Sequence, residues 1–215
     1  RHSFPTRRSS DLASYVSTKI IPALRLSFVA GVNQIGSRYQ RFESNSETLA
    51  YGEWHGNQVF SSSAVSGDLD ISMIKFSPFV KMDLSNLSLD PYNETGATPY
   101  LLHYHQQSMR SQRSTVGFNT EMTIETPWGK LIPRVRMEVQ KDAAKRNSLK
   151  VNYIDLPDAV YLIPANEVDR RITLIAVGAD MNWRNGIVTI LNITRSSANQ
   201  NNQSNRINLR FSYSY

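Results

Sequence analysis

The sequence contains no cysteine. A disulfide framework, a thiolate zinc site and a cysteine nucleophile are therefore excluded. The chain also lacks any run of the roughly 18 apolar residues that a membrane helix needs. Its longest apolar stretch, ITLIAVGA (172–179), has the length of a strand. If the protein resides in a membrane, it must cross as a closed β-barrel, the other structure that pairs every backbone polar group within lipid.

Basic residues outnumber acidic ones but are not concentrated. The 215 residues include 24 Lys and Arg against 18 Asp and Glu, a formal net charge of +6. No basic block is longer than Arg7–Arg8 or Arg170–Arg171, whereas a nucleic-acid-binding chain gathers its cations into a patch or stripe. We therefore expect no nucleic-acid partner.

Alternation of apolar and polar residues dominates the chain, which is the period of a β-strand with two different faces. It is clear in ALRLSFVAGV (23–32), IKFSPFVKMDL (74–84), VGFNTEMTI (116–124), LIPRVRMEV (131–139) and the final RINLRFSYSY. About nine consecutive strands, each of roughly ten residues or more, can be drawn. The sequence predicts an all-β, antiparallel fold.

Short and long connections alternate between these strands. TPWGK (126–130) and NWRNG (182–186) are tight turns that contain glycine. A long polar segment at about 143–170 separates them, and SSANQNNQS (196–204) follows the second. An up-and-down outer-membrane barrel has short periplasmic turns and longer outer loops. If the last strand ends in the periplasm, both tight turns lie on that side.

A soluble β-sandwich binding module also has strands with one apolar and one polar face. Three features favour a membrane barrel instead. The strands are longer than the 5–6 residues or so that are usual in soluble sheets. Charge stands opposite charge on the polar face, as a polar lumen allows. Aromatic residues, which favour the membrane interface, stand near strand ends: Trp128, Trp183, Tyr213 and Tyr215.

The N-terminal stretch RHSFPTRRSSDL (1–12) differs from the rest of the chain because it shows no periodicity. A targeting peptide and a disordered arm are two interpretations, although no apolar core follows it. It also resembles the translation of a sequencing adapter joined to a truncated frame, the interpretation that we favour. We assign 1–12 to a non-native or disordered leader and 13–215 to a partial barrel domain; 13–20 is the one segment with weak helical periodicity.

Four segments together resemble one family. RSTVGFNTEMTIETPWGKLIPRVRMEVQKD (113–142) is similar to the late strand pair of the C-terminal translocator β-barrel of bacterial autotransporters, the type V secretion proteins. PYNETG (91–96) resembles that family's aromatic-x-Glu-x-Gly element, through Tyr92, Glu94 and Gly96. VGADMNWRNGIVTI (177–190) resembles its penultimate hairpin, and RINLRFSYSY its terminal strand. The resemblance covers about 23–215, and it departs from the family in ending on Tyr215, where Phe is commoner.

The resemblance implies an antiparallel, up-and-down transmembrane β-barrel that is incomplete, with about nine of the family's twelve strands. It implies a protein of the Gram-negative outer membrane that takes part in exporting its own N-terminal passenger. The implied partners are outer-membrane lipid, the barrel-assembly machinery, periplasmic chaperones and the passenger itself. No enzyme activity and no cofactor are implied. Another outer-membrane barrel, porin-like or an adhesin, is the alternative.

The alternating faces supply the candidate functional residues. We expect the lumen to be lined by Glu121, Glu125, Arg134, Arg136, Glu138 and Arg210, with Glu121 and Glu125 near Arg134 and Arg136. We expect the lipid-facing set to be Val116, Phe118, Met122, Ile124, Val135, Met137, Val139, Ile207, Leu209 and Phe211. The resemblance implies a C-terminal assembly signal of Phe211, Tyr213 and Tyr215.

No catalytic or metal site is predicted. The chain has no G-x-S-x-G nucleophile elbow. His103 and His105 would share one strand face as a possible metal pair, but no third ligand of matching spacing is present. A tyrosine-rich strand surface is the interpretation we prefer for this segment.

Overall fold

The computed structural model describes residues 6–44, 47–143, 148–164, 171–198 and 203–213. Regular structure in these residues is all β-strand, and none of them belongs to a helix long and apolar enough to cross a membrane. The strands are β1 (Thr6–Ile21), β2 (Leu24–Glu43), β3 (Thr48–Gly67), β4 (Leu69–Ile71), β5 (Ile74–Leu89), β6 (Tyr92–Asn93), β7 (Thr95–Gly96), β8 (Leu102–Tyr104), β9 (Gln107–Met122), β10 (Ile124–Thr126), β11 (Gly129–Asp142), β12 (Ser148–Tyr153), β13 (Leu156–Pro164), β14 (Arg171–Trp183), β15 (Ile187–Ala198) and β16 (Gln203–Tyr213).

One large antiparallel sheet contains the long strands in the order β1-β2-β3-β5-β9-β11-β14-β15-β16. Each long strand pairs with the next long strand along the chain, which is the connectivity of an up-and-down meander. The predicted fold class, all-β and antiparallel with about nine strands of an incomplete barrel, is therefore confirmed. In the described residues β1 pairs with β2 alone and β16 with β15 alone, so the sheet is open between them.

The register carries the two-sided pattern of each strand across the whole sheet. Val116 of β9 lies opposite Val80 of β5 on one side and Val139 of β11 on the other. Because successive side chains point to opposite faces, every second neighbour in these strands joins the same surface. The sheet therefore has an apolar face, which carries Val116 and Val139, and a polar face, which carries Arg134 and Glu138.

Short connections gather at one end of the sheet, which we call the turn end. Two residues link β1 to β2, β4 to β5 and β10 to β11, and Arg184–Gly186 links β14 to β15. Ser72 has φ +57° and Gly186 has φ +84°, the left-handed conformation that reverses a chain within so few residues. The two tight turns expected at 126–130 and 182–186 do lie at the same end.

The opposite, loop end carries the longer connections and a second sheet. Its strand order is β13-β12-β8-β6, built from the connections that follow β5 and β11. The interpretation of 143–170 as a polar excursion missed this hairpin. The strand at 148–153 forms by pairing with β8 and with β13, and the strand at 156–164 forms by pairing with β12.

The N-terminal strand extends beyond the expected domain boundary. β1 starts at Thr6, and it runs through 13–20, where weak helical periodicity had been noted. Continuous pairing from Asp11–Asn33 to Lys19–Arg25 places this segment in the sheet, so cross-strand hydrogen bonds override the weak local signal. The assignment of 1–12 to a leader and 13–215 to the domain stays a prediction.

Glycines on the polar face make room for aromatic rings from neighbouring strands. The ring of Tyr39 lies against Gly52, and that of Phe79 against Gly117. A Cβ added at Gly117 would stand 2.8 Å from Phe79 Cζ and would also meet the backbone oxygen of Met137. Only glycine allows this close approach of ring and backbone.

Candidate functional site: the polar face and the loop-end cluster

In the large sheet, apolar side chains of one face are exposed while two carboxylates of the other face are buried. On the apolar face, the exposed fraction is 59% for Val116 and 56% for Val80, whereas on the polar face Glu138 is 5% exposed and Asp142 8%. The ten residues expected to face lipid all lie on the apolar face, where the register places them in adjacent rows. Seven of them are exposed large hydrophobic residues: Val116, Val135, Met137, Val139, Ile207, Leu209 and Phe211.

Arg134 is the centre of a charged group that joins three strands on the polar face. Its guanidinium forms an ion pair with Asp180 of β14, and its Nε donates to Asn192 Oδ1 of β15 at 3.3 Å. Glu121 lies directly opposite Arg134 in the register of β9 and β11. The carboxylate of Glu121, however, forms its ion pair with Lys75 of β5, at 3.9 Å.

Arg136 and Glu138 form the second charged group, within a single strand. Arg136 Nη2 donates to Glu138 Oε2 at 2.6 Å, and Gln140 Nε2 donates to Glu138 Oε1 at 2.7 Å. The Arg136 guanidinium also lies 5.0 Å from the centroid of the Phe79 ring, a cation–π distance. These partners compensate the burial of the Glu138 carboxylate, which would otherwise cost several kcal/mol or more.

The remaining expected lumen residues lie apart from these groups. Glu125 stands in the turn-end hairpin, where it forms an ion pair with Lys130 at 3.0 Å rather than with Arg134 or Arg136. Arg210 lies on β16 opposite Ile190. Glu121 thus lies near Arg134, as the sequence predicts, whereas Glu125 lies opposite Lys130 in the turn-end hairpin.

An open cavity of about 500 Å³ lies among these side chains toward the turn end. Both signs of charge line it, through Arg25, Asp68, Lys75, Glu121 and Arg134. Within the described residues, no group of three His, Cys, Asp or Glu side chains stands close enough to hold a metal ion.

A separate buried group, the loop-end cluster, consists of Tyr39, Arg41, Tyr92, Glu94 and Tyr104. The Glu94 side chain is fully buried and accepts hydrogen bonds from Arg41 Nη2 at 2.6 Å, Arg41 Nε at 3.1 Å and the Tyr39 hydroxyl at 3.1 Å. Arg41 and Tyr39 project from β2, whereas Glu94 belongs to the connection between β5 and β9. The cluster therefore ties that connection to the polar face of the sheet.

Three tyrosine rings complete the loop-end cluster. The rings of Tyr92 and Tyr104 stack with centroids 4.5 Å apart, and Tyr39 meets Tyr92 edge to face at 6.2 Å. Burial raises the pKa of Tyr92 to about 12, and burial also raises the pKa of Tyr104. The sequence singled out Tyr92 and Glu94, but no local signal pointed to Arg41, which is 53 residues from Glu94.

His103 belongs to β8 of the second sheet, and His105 directly follows that strand. His103 Nδ1 shares a hydrogen bond with Asn93 Oδ1, and the ring centroids of His103 and His105 are 4.7 Å apart. The two histidine rings pack edge to face against each other. The interpretation of this segment as a tyrosine-rich strand surface stays a prediction.

Comparison with known proteins shows which family this architecture belongs to. The family described as "Autotransporter beta-domain" matches residues 7–194. The chain belongs to the autotransporter β-domain family. The family resemblance drawn from the sequence is confirmed.

A solved structure has the same fold as this autotransporter β-domain. It matches the translocator domain of the autotransporter NalP from Neisseria meningitidis with a TM-score of 0.68 at 12% sequence identity. The match covers 93% of this chain and 65% of that chain, so this autotransporter β-domain spans about two thirds of the translocator domain. No curated protein sequence matches.

Family membership also bears on whether the chain is an enzyme. Autotransporter β-domains are transport barrels rather than enzymes, which confirms the expectation of a non-enzymatic chain. The charged groups of the polar face and the loop-end cluster are therefore the candidate functional features of this autotransporter β-domain.

Proposed function

We propose that this β-domain resides in the outer membrane of a Gram-negative bacterium and takes part in exporting its own N-terminal passenger. One observation carries the proposal: the face with Val116 and Val80 is exposed, whereas carboxylates such as Glu138 on the other face are buried and paired. Water penalises this arrangement, whereas a barrel in lipid requires it, since its outside is apolar and its lumen polar.

The extent of the apolar face fits a bilayer. On β5 it runs from Ile74 to Leu84, and on β11 from Leu131 to Val139. A tilted strand needs about 9–11 residues to cross the hydrocarbon. Those two segments have the length that this span requires.

The two ends of the sheet support an orientation with the turn end in the periplasm. Trp128 lies in a turn there and is 67% exposed, and Trp183 and Tyr213 are exposed on the apolar face at the same end. Trp183 Nε1 donates to Thr189 Oγ1 at 3.0 Å. Amphipathic rings with a satisfied polar atom favour the membrane interface.

In this proposal the polar face lines the lumen through Glu121, Glu125, Arg134, Arg136, Glu138 and Arg210. The mixed charges around the 500 Å³ cavity would hydrate the channel and contact the segment that connects the barrel to its passenger. The passenger, through this connecting segment, is the partner that the polar face would contact.

The last strand supplies the proposed signal for the barrel-assembly machinery, to which periplasmic chaperones would deliver the chain. Ile207, Leu209, Phe211 and Tyr213 share the apolar face of β16, and each is at least 56% exposed. Tyr215, the other residue of the expected signal, lies outside the described residues.

Passenger display on intact cells tests the proposal. The gene with its natural upstream region would be expressed in a Gram-negative host, and protease sensitivity of the passenger would be followed with time. The barrel should float with outer membranes and migrate faster on a gel unheated than boiled. An inserted barrel whose upstream region never reaches the surface would indicate a porin-like channel instead, and a chain soluble without detergent would exclude the membrane altogether.

A charge-paired variant tests the role of the polar face within that experiment. Arg134→Gln combined with Asp180→Asn removes both charges, so neither is left unpaired. We expect slower passenger exposure with unchanged heat-modifiable migration. Arg184→Gln, a change in an exposed turn, is the control and should leave the rate unchanged; equal rates in both variants would show that the Arg134 group does not contact the passenger.

A further inference from the structure

On the apolar face of the large sheet, cations outnumber acids, and the cations lie toward one end of the strands. From residue 11 onward, the register places five cations and a single acid on that face of the described strands. The acid, Glu53, already forms an ion pair with Arg38 at 3.0 Å. The other four cations are exposed side chains: Arg110, Lys141, Arg171 and Arg195.

These four cations, which we call the outer cation belt, lie on four consecutive strands of the sheet. Arg110 is on β9, Lys141 on β11, Arg171 on β14 and Arg195 on β15. All four lie on the loop-end side of the apolar stretch of their strands. At the turn end the same face finishes on residues without charge, such as Trp183, and its two rims therefore differ.

Two members of the belt face each other directly. Lys141 and Arg171 are register partners between β11 and β14, so their Cβ atoms stand about 4.5–5.5 Å apart. Like charges in directly opposed positions destabilise a sheet. Among the described residues, no carboxylate lies within ion-pair distance of Arg110, Lys141 or Arg171. An anion placed between Lys141 and Arg171 would relieve the repulsion.

We propose that the outer cation belt binds the phosphate groups of lipid head groups in the outer leaflet of the membrane. The inference rests on the proposed function, because it requires the apolar face to lie in the outer membrane with the loop end outward. Cations immediately beyond an apolar, lipid-facing stretch stand at the height of the head groups. Lys and Arg are also the side chains that pair with phosphate.

The spread of the belt favours a lipid over a protein partner. Lys141 lies opposite Ser114, four residues along β9 from Arg110, a separation of roughly 13 Å along the strand. The cations thus follow the outside of the sheet from strand to strand instead of forming one pocket. Several neighbouring phosphorylated head groups fit such a row, one beside each pair of strands.

Binding of a fluorescent, bis-phosphorylated glycolipid to the purified full-length protein in detergent tests the proposal. The variant is Lys141→Ser with Arg171→Ser, which removes the opposed pair. Because each cation near an anionic surface contributes about a fivefold gain in affinity, the double variant should bind roughly 25-fold more weakly. Lys150→Ser on β12, a cation of the second sheet, is the matched control and should bind as the wild type does.

Three further arms identify the ligand and separate this inference from the proposed function. The dephosphorylated glycolipid should bind poorly, and inorganic phosphate should not compete at the same concentration. Equal binding of the dephosphorylated lipid by a wild-type protein that inserts and migrates heat-modifiably would overturn the inference and leave the proposed function standing. Effective competition by inorganic phosphate would overturn the assignment to lipid. A wild-type chain that stays soluble without detergent would defeat both.

Discussion

Arg41 and Glu94, which are 53 residues apart in the chain, meet at the loop end in a two-point ion pair. Arg41 donates from Nη2 and from Nε to the two carboxylate oxygens, and its Nη2 also donates to the Tyr100 carbonyl at 2.9 Å. Leu102 N donates to Glu94 Oε2 at 3.0 Å. One buried carboxylate thus holds the β5–β9 connection against β2.

Removing the cation of this pair should lower the free energy of unfolding substantially. Arg41→Met leaves the fully buried Glu94 carboxylate uncompensated, and breaking a buried pair in this way costs about 3–5 kcal/mol. Glu94→Gln should cost less, since its amide oxygen still accepts a hydrogen bond from Arg41 or Tyr39. Urea unfolding of the refolded protein, followed by tryptophan fluorescence, measures both free energies. Arg38→Met is the control: both Arg38 and its partner Glu53 are exposed, so the change should cost far less than Arg41→Met. Equal losses at Arg38 and Arg41 would contradict the assigned role.

Charge introduced on the apolar face should damage insertion. Phe118→Arg or Val135→Arg would place a cation in the hydrocarbon, at about 2–4 kcal/mol near the bilayer midplane. Gln140→Arg is the control, because it lies on the polar face beside Glu138, which already accepts from Arg136. Outer-membrane flotation and the unheated gel band report insertion. Tolerance of Val135→Arg with loss at Gln140→Arg would mean that the two faces are reversed.

Glycine at 117 should be required for packing on the polar face. A Cβ at Gly117 would stand 2.8 Å from both Phe79 Cζ and Glu138 Cβ. Overpacking of this kind costs about 1–3 kcal/mol, so Gly117→Ala should lower the urea midpoint and slow assembly. Gly67→Ala is the matched control, since the nearest atom to its Cβ is Pro78 Cγ at 3.4 Å. Unchanged assembly of Gly117→Ala would show that the ring and the strands can move apart freely.

The loop-end cluster should loosen in alkali. The pKa of Tyr92 is raised to about 12 by burial, above the ordinary value of 10.0. A raised folded-state pKa means that stabilisation is complete below pH 10 and is lost as the pH rises through about 12. Absorbance of tyrosinate and urea midpoints at stepped pH follow this loss, and Tyr92→Phe should remove part of the dependence. A Tyr92 that ionises at pH 10 would contradict its burial against Tyr104.

Local patterns in the sequence were sufficient for the strands and their faces. In RINLRFSYSY each residue's face follows from its parity, because strand geometry alternates side chains regardless of the partner strand. The same holds for Val135 and Arg136, which are neighbours on opposite faces. The strand at 156–164 was not predicted because apolar residues occupy both odd and even positions there, so no alternation is visible. This segment forms a strand by pairing with β12.

The sequence by itself determined the alternation, the tight turns and hence a meander with one apolar and one polar face. Only the tertiary structure decided which charges meet. Glu121 lies opposite Arg134 but pairs with Lys75, while Arg134 pairs with Asp180, 46 residues away. Ion-pair choice depends on register and side-chain reach across several strands, quantities set when distant segments align, whereas the period of a strand is a property of its own backbone.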